Sequence, residues 1–171
     1  MAYDSLPKRL EKWSEQWVPG LRVYIKREGL RDADKLIRDE LVKRMDAVKG
    51  VLDNAKKKRV DQGGLKNLDK LDRATRKIEK VRDTIRFDSR GYRGIFDPEE
   101  VTEKDLNALL DFDEKLFGVI EELESRAQSV ASLSDAELGP ALSSFEDEVE
   151  AMNTTLGQRE KYSKDKLPGS A

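Results

Sequence analysis

The apolar positions of this chain recur at threes and fours over most of its length, and that period predicts helices. The cleanest run is Leu138, Leu142, Phe145, Val149, Met152 and Leu156, which alternates fours and threes without a miss. Such spacing lays one stripe along a helix, as in a heptad seam. Upstream, Leu30, Ala33, Ile37, Leu41, Met45, Val48, Leu52 and Ala55 predict a helix of about 30 residues, roughly 45 Å long. Leu65, Leu68, Leu71, Ile78, Val81 and Ile85 mark another, with a narrow stripe flanked by Lys, Arg and Asp. A fourth stripe runs through Leu106, Leu109, Phe112, Leu116, Ile120, Leu123, Ala127 and Val130, widened by Leu110 and Phe117. Near the start, Leu6, Leu10, Trp13 and Trp17 share one face of a shorter helix.

The breaks between these stripes carry helix-boundary chemistry. Ser5 is placed to cap the first helix, with Pro7 in its first turn, where the missing N–H costs little. Pro19 and Gly20 end it. Residues 21 to 29, LRVYIKREG, alternate partly like a strand but have no partner strand, so they read as a connector or a further helical turn. Gly63 and Gly64 break the second long pattern. Asp97, Pro98, Glu99 and Glu100 combine a cap, a first-turn proline and acids at the positive helix terminus. Ser134, three residues before Glu137, has capping-box spacing. Pro140 moves the expected start of that last helix toward residue 139. From Ser163 the tail SKDKLPGSA has nothing to pack and is expected to be disordered.

The predicted fold is all-α: an elongated antiparallel up-down helical bundle of four long helices plus a short N-terminal helix. Residues 1–29 form the N-terminal helix and connector, 30–162 the bundle and 163–171 the tail. Within the bundle, 30–94 and 95–162 are two αα-hairpins.

Composition alters this picture mainly through charge. Of 171 residues, 40% are Asp, Glu, Lys or Arg and only 37% are hydrophobic, which suits thin helical packing with much of each helix in water. The net charge of −2 conceals a division. Residues 1–94 hold 26 basic against 16 acidic side chains, while residues 95–171 hold 7 against 19, so the halves are +10 and −12. Packed together in one chain, they satisfy each other and set register; packed between chains, they make a homodimer or a head-to-tail assembly.

The chain has no histidine and no cysteine, which removes the commonest general base, thiol nucleophiles and the usual transition-metal ligands. Glu99, Glu100 and Glu103 spell an E-E-x-x-E that resembles the Mg²⁺ motif of all-helical nucleotide pyrophosphatases, but no E-x-x-D follows to complete it. Asp113 lies at the margin of the fourth stripe, where it reads as a buried functional carboxylate or, in the favoured account, as an edge residue paired with a basic neighbour. No enzyme activity, catalytic residue, metal or cofactor is expected. No apolar run approaches the roughly 20 residues of a membrane span, and the N-terminus lacks a secretory h-region, so the expected location is cytoplasmic.

Three features remain as candidate interaction sites. Lys56, Lys57, Lys58 and Arg59 form a basic run suited to anions, or a favourable charge at a helix C-terminus. In FDSRGYRGIFDPEE, residues 87–100, Arg90, Tyr92 and Arg93 can grip a partner or a phosphate, although a simple corner covering the bundle end is the favoured reading. Trp13 and Trp17 form an aromatic face for a partner's groove or a membrane, with docking on their own bundle favoured over both. The function these features support is that of a non-enzymatic helical-bundle interaction or scaffold protein that contacts another protein or a second copy. Nucleic-acid or anionic-surface binding through the basic hairpin is the alternative, and a metal-dependent hydrolase in the acidic half comes third.

Overall fold

A computed structural model describes residues 5–21, 30–87 and 103–166, and among these the secondary structure is helical throughout. The helices are α1 (Leu6–Gln16), α2 (Leu30–Asp61), α3 (Leu68–Phe87), α4 (Glu103–Val130) and α5 (Asp135–Lys166). The predicted all-α class is the observed one.

Every described member of the α5 seam, from Leu138 to Leu156, is buried, as are Ile37, Leu41, Met45, Val48, Leu52 and Ala55 of α2. They meet Leu71, Ala74, Ile78, Val81 and Ile85 of α3 and Leu110, Leu116, Phe117, Ile120, Leu123, Ala127 and Val130 of α4 in one continuous core that also takes in Leu10 and Trp13 of α1 and Trp17 just after it. Each such side chain contributes about 1.5–3 kcal/mol when fully buried, so the seams hold the bundle together.

Side-chain pairs fix the helix directions. Along α2 and α3, Lys56 meets Asp72, Lys49 meets Glu79 and Asp46 meets Arg82, so number rises on one helix as it falls on the other. The hairpin of α4 and α5 behaves alike, with Arg126 on Glu148 and Asp113 on Arg159. Between hairpins the sense is reversed. Arg44 reaches Glu124 while Arg59 reaches Asp135, and Asn67 bonds the Asp135 carbonyl while Lys77 reaches Glu146. Thus α2 lies beside α4 and α3 beside α5, each pair running in one direction. Consecutive helices α3 and α4 do not pack together. Residues 88–102 lie outside the described set, and the helices on either side of them stand at opposite corners of the bundle, whereas the reading of the breaks as short connections anticipated neighbours.

Helix ends depart from the sequence reading in four places. Ser5 occupies the N-cap of α1, but its side chain makes no capping bond. Leu65 is not part of α3, because Gly63 (φ +74°) and Asn67 (φ +61°) turn the chain first, and the helix begins at Leu68. On α5 the capping box forms: Ser134 N donates to Glu137 Oε2 at 3.0 Å, and Glu137 N donates to Ser134 Oγ at 3.4 Å. It starts the helix at Asp135 despite Pro140 inside it. At the other end α5 continues to Lys166, so residues 163–166 extend the helix instead of beginning a tail. Residues 22–29, most of the expected connector, lie outside the described set, as do 167–171.

The Ser134 contacts hold the Glu137 carboxyl below its ordinary pKa. A lowered folded value gives stability that is present above the unfolded pKa and fades as pH falls through the folded one. Loss of the N-cap side chain in Ser134→Ala is expected to lower unfolding stability at neutral pH. In urea titrations, the gap from wild type should shrink on acidification below the usual glutamate range. A gap independent of pH would contradict the reciprocal cap.

Candidate interaction surface

The two tryptophans are covered. Trp13 is 1% exposed and Trp17 is 7% exposed, because α1 docks on α4 around Phe117. The Trp17 ring stacks on Phe117 at 5.3 Å with 4° between planes, while Trp13 meets Phe117 edge-on at 5.6 Å. Trp17 Nε1 donates to Glu121 at 2.9 Å, satisfying the one polar atom of that ring. Arg9 of α1 anchors the same dock. Its guanidinium donates to the Asn107 carbonyl and side chain and reaches Asp111 and Glu114 at 2.8 and 3.0 Å. The assignment of Trp13 and Trp17 as partner-binding residues is corrected on this ground: their surface is spent inside the molecule.

Lys56–Arg59 does not act as one cluster. Lys56 pairs with Asp72, and Arg59 bonds the Leu133 carbonyl and Asp135, tying the α2–α3 turn to the α4–α5 turn. Lys57 and Lys58 stay exposed with no partner among the described residues. Arg90, Tyr92 and Arg93 lie outside the described residues, as do Glu99 and Glu100 of the acidic motif.

Part of the charge division is used within the chain. Arg44 of the basic hairpin grips Glu124 of the acidic one with both ends of its fork, at 2.8 and 2.5 Å, and lies 5.9 Å over the Phe117 ring. Glu124 holds the Arg44 pKa above its usual value. Glu146 of α5 receives Arg73 and Lys77 of α3 at 3.6 and 3.3 Å. Charges inside the basic hairpin sort as well. Asp72 and Glu79 of α3 turn toward lysines of α2, and Asp46 of α2 takes Arg82 and Arg86.

Two exposed surfaces stand out among the described residues. At the α2–α3 turn, Leu65 is 74% exposed and, at the end of α2, Val60 is 46% exposed, with exposed Lys57, Lys58 and Lys66 close to them in sequence. The turn is pinned, since Gly64 N donates to the Arg59 carbonyl at 2.8 Å and Asn67 Nδ2 donates to the Asp135 carbonyl at 3.0 Å. The second surface is the outward side of α3, where Arg73, Arg76 and Lys80 are exposed and Phe87, at 72% exposure, closes the row.

Asp113 is buried completely, not held at the margin. Arg159 Nε and Nη2 donate to its two oxygens at 2.7 and 3.0 Å. Burial pushes the Asp113 carboxyl up, and the Arg159 charge and hydrogen bonds oppose that push. Phe112, placed on the core stripe by sequence, is instead half-buried beside Tyr162 at 6.0 Å and under Lys115. Both seams explain the exchange. Stepping by threes and fours, the slot before Leu116 on α4 is Asp113 and the slot after Leu156 on α5 is Arg159.

Comparison with protein-family models, curated proteins and solved structures finds no match to this chain. No helix among the described residues is long and apolar enough to cross a membrane.

Two outcomes follow from these burials. Breaking the buried pair by Arg159→Met alone should cost about 3–5 kcal/mol, whereas Asp113→Leu with Arg159→Met should recover most of it. Chemical denaturation of the single and double variants checks this, and a double variant as weak as the single would contradict the account. Acrylamide should quench native tryptophan emission poorly and quench it freely after unfolding. Free quenching of the native chain would show the aromatic face undocked.

Proposed function

We propose that this chain is a non-enzymatic helical-bundle interaction protein that engages another protein through the tip of its basic hairpin. The observation that carries the reading is the apolar knob at the α2–α3 turn. Leu65 and Val60 account for two of the three large apolar side chains left exposed among the described residues, Leu65 in the turn and Val60 at the end of α2. A pinned turn holds Leu65 outward, so little order remains to be imposed on binding. Apolar anchors inside a polar collar are the usual energetic centre of a protein interface. Here the collar is Lys57, Lys58 and Lys66, which fits an apolar socket with an acidic rim.

The partner is another protein in preference to a second copy. The acidic hairpin already spends Glu124, Asp135 and Glu146 on its own basic half. An enzymatic role draws no support from the buried polar groups, since Asp113 and Arg159 engage each other and Arg9 clamps α1.

Site-specific photo-crosslinking of the full chain in its own cells tests this. A crosslinker at position 65 is expected to give a discrete protein adduct that one at exposed Thr154 on α5 does not. The adduct should weaken when Lys57 and Lys58 are both changed to Glu. Equal yields from both positions, or none from position 65, would refute the knob.

A further inference from the structure

Helix geometry brings Asp69, Arg73, Arg76, Lys80, Thr84 and Phe87 of α3 into one sector of about 80°, at roughly 100° per residue. All six are exposed. Lys70 and Lys77 flank the sector toward α5, where Lys77 and Arg73 reach Glu146. In sequence, the acids of this helix interrupt the basic run and weaken its field. In three dimensions, Asp72, Glu79 and Asp83 are drawn aside by Lys56, Lys49 and Arg82, leaving Asp69 as the acid on the ridge. Arg76 and Lys80 have no partner among the described residues.

We propose that this ridge binds the phosphate backbone of single-stranded nucleic acid, with Phe87 offering a face on which a base stacks. The ridge carries no apolar residue between Asp69 and Phe87, so it lacks the buried centre that a protein interface needs. It equally lacks the apolar stripe that a helix lying in a membrane inserts. Cations in a row with an aromatic ring at one end are the chemistry of single-strand binding, where lysine and arginine follow the backbone and rings stack on bases. The surface is separate from the hairpin knob, and neither reading depends on the other.

The test is fluorescence anisotropy of a labelled oligothymidylate of about 20 nucleotides, longer than one typical binding site, titrated with the full chain across salt concentrations. Affinity should fall with salt, and Arg76→Gln with Lys80→Gln should flatten the log–log slope by about 1.4, at 0.7 per contact removed. Phe87→Ala should weaken binding while leaving the slope unchanged. Both variants should melt like wild type, and Leu65→Ser should bind like wild type, so that failure of the ridge and of the knob read out separately. The proposal is overturned by absence of binding at low salt or by an unchanged slope in the double glutamine variant. Polyglutamate that competes equally at matched charge would assign the ridge to an acidic protein, and preferential capture by anionic vesicles would assign it to a membrane; either also overturns it.

Discussion

The structure depends on narrow apolar seams meeting in one core while most of each helix remains wet. With 40% charged residues, the chain has little apolar surface to spare, and nearly all of it is placed at threes and fours. Seams alone are nonspecific, since one greasy stripe packs against another in several registers. Direction and register are supplied by charge: Arg44 on Glu124, Arg59 on Asp135, and Arg73 and Lys77 on Glu146 bind the basic hairpin to the acidic one. Exposed pairs of this kind are each worth about 0–1 kcal/mol, so they select an arrangement that the seams stabilise.

The buried pair of Asp113 and Arg159 serves the acidic hairpin in the same way at a higher cost. Two charged groups occupy seam slots where leucines would pack more favourably, and each is tolerable only opposite the other. A slip of one turn would leave both charges unpaired in the core. The wide diagonal step from α3 to α4 has a related consequence, because consecutive helices that do not touch cannot set each other's register through a tight turn. Contacts between the hairpins must do so instead, such as the Arg44 fork on Glu124 and the Arg59 pair with Asp135.

Much of the fold was legible in the sequence because seam periodicity is local. The run from Leu138 to Leu156, the α2 stripe from Ile37 to Ala55 and the Ser134 cap appear as read. Failures arose where a tertiary partner decides the outcome. Leu65 continues the α3 spacing on paper, yet left-handed Gly63 and Asn67 put it outside the helix, and nothing in the spacing marks Asn67 as left-handed. Phe112 was assigned to the core by hydrophobicity, whereas the strict heptad through Leu109 and Leu116 selects Asp113. That signal was present, as an acid and a base at seam slots on the two helices of one hairpin. Nothing in the spacing singles out Arg9, and only its proximity to Asn107 and Asp111 reveals its role. The outward ridge of α3 was obscured for the same reason, since the sequence cannot tell which acids face α2.

Among the described residues, exposed Leu65 at one end of the basic hairpin and a cationic ridge along α3 stand open, while Arg44, Arg59, Lys77, Glu124, Asp135 and Glu146 are used between the hairpins. Light scattering at low and high salt tests that internal use most directly. The account predicts a monomer near 19.5 kDa at both. A mass that rises to a dimer or beyond at low salt and falls as salt is added would show the oppositely charged halves acting between chains, and would contradict it.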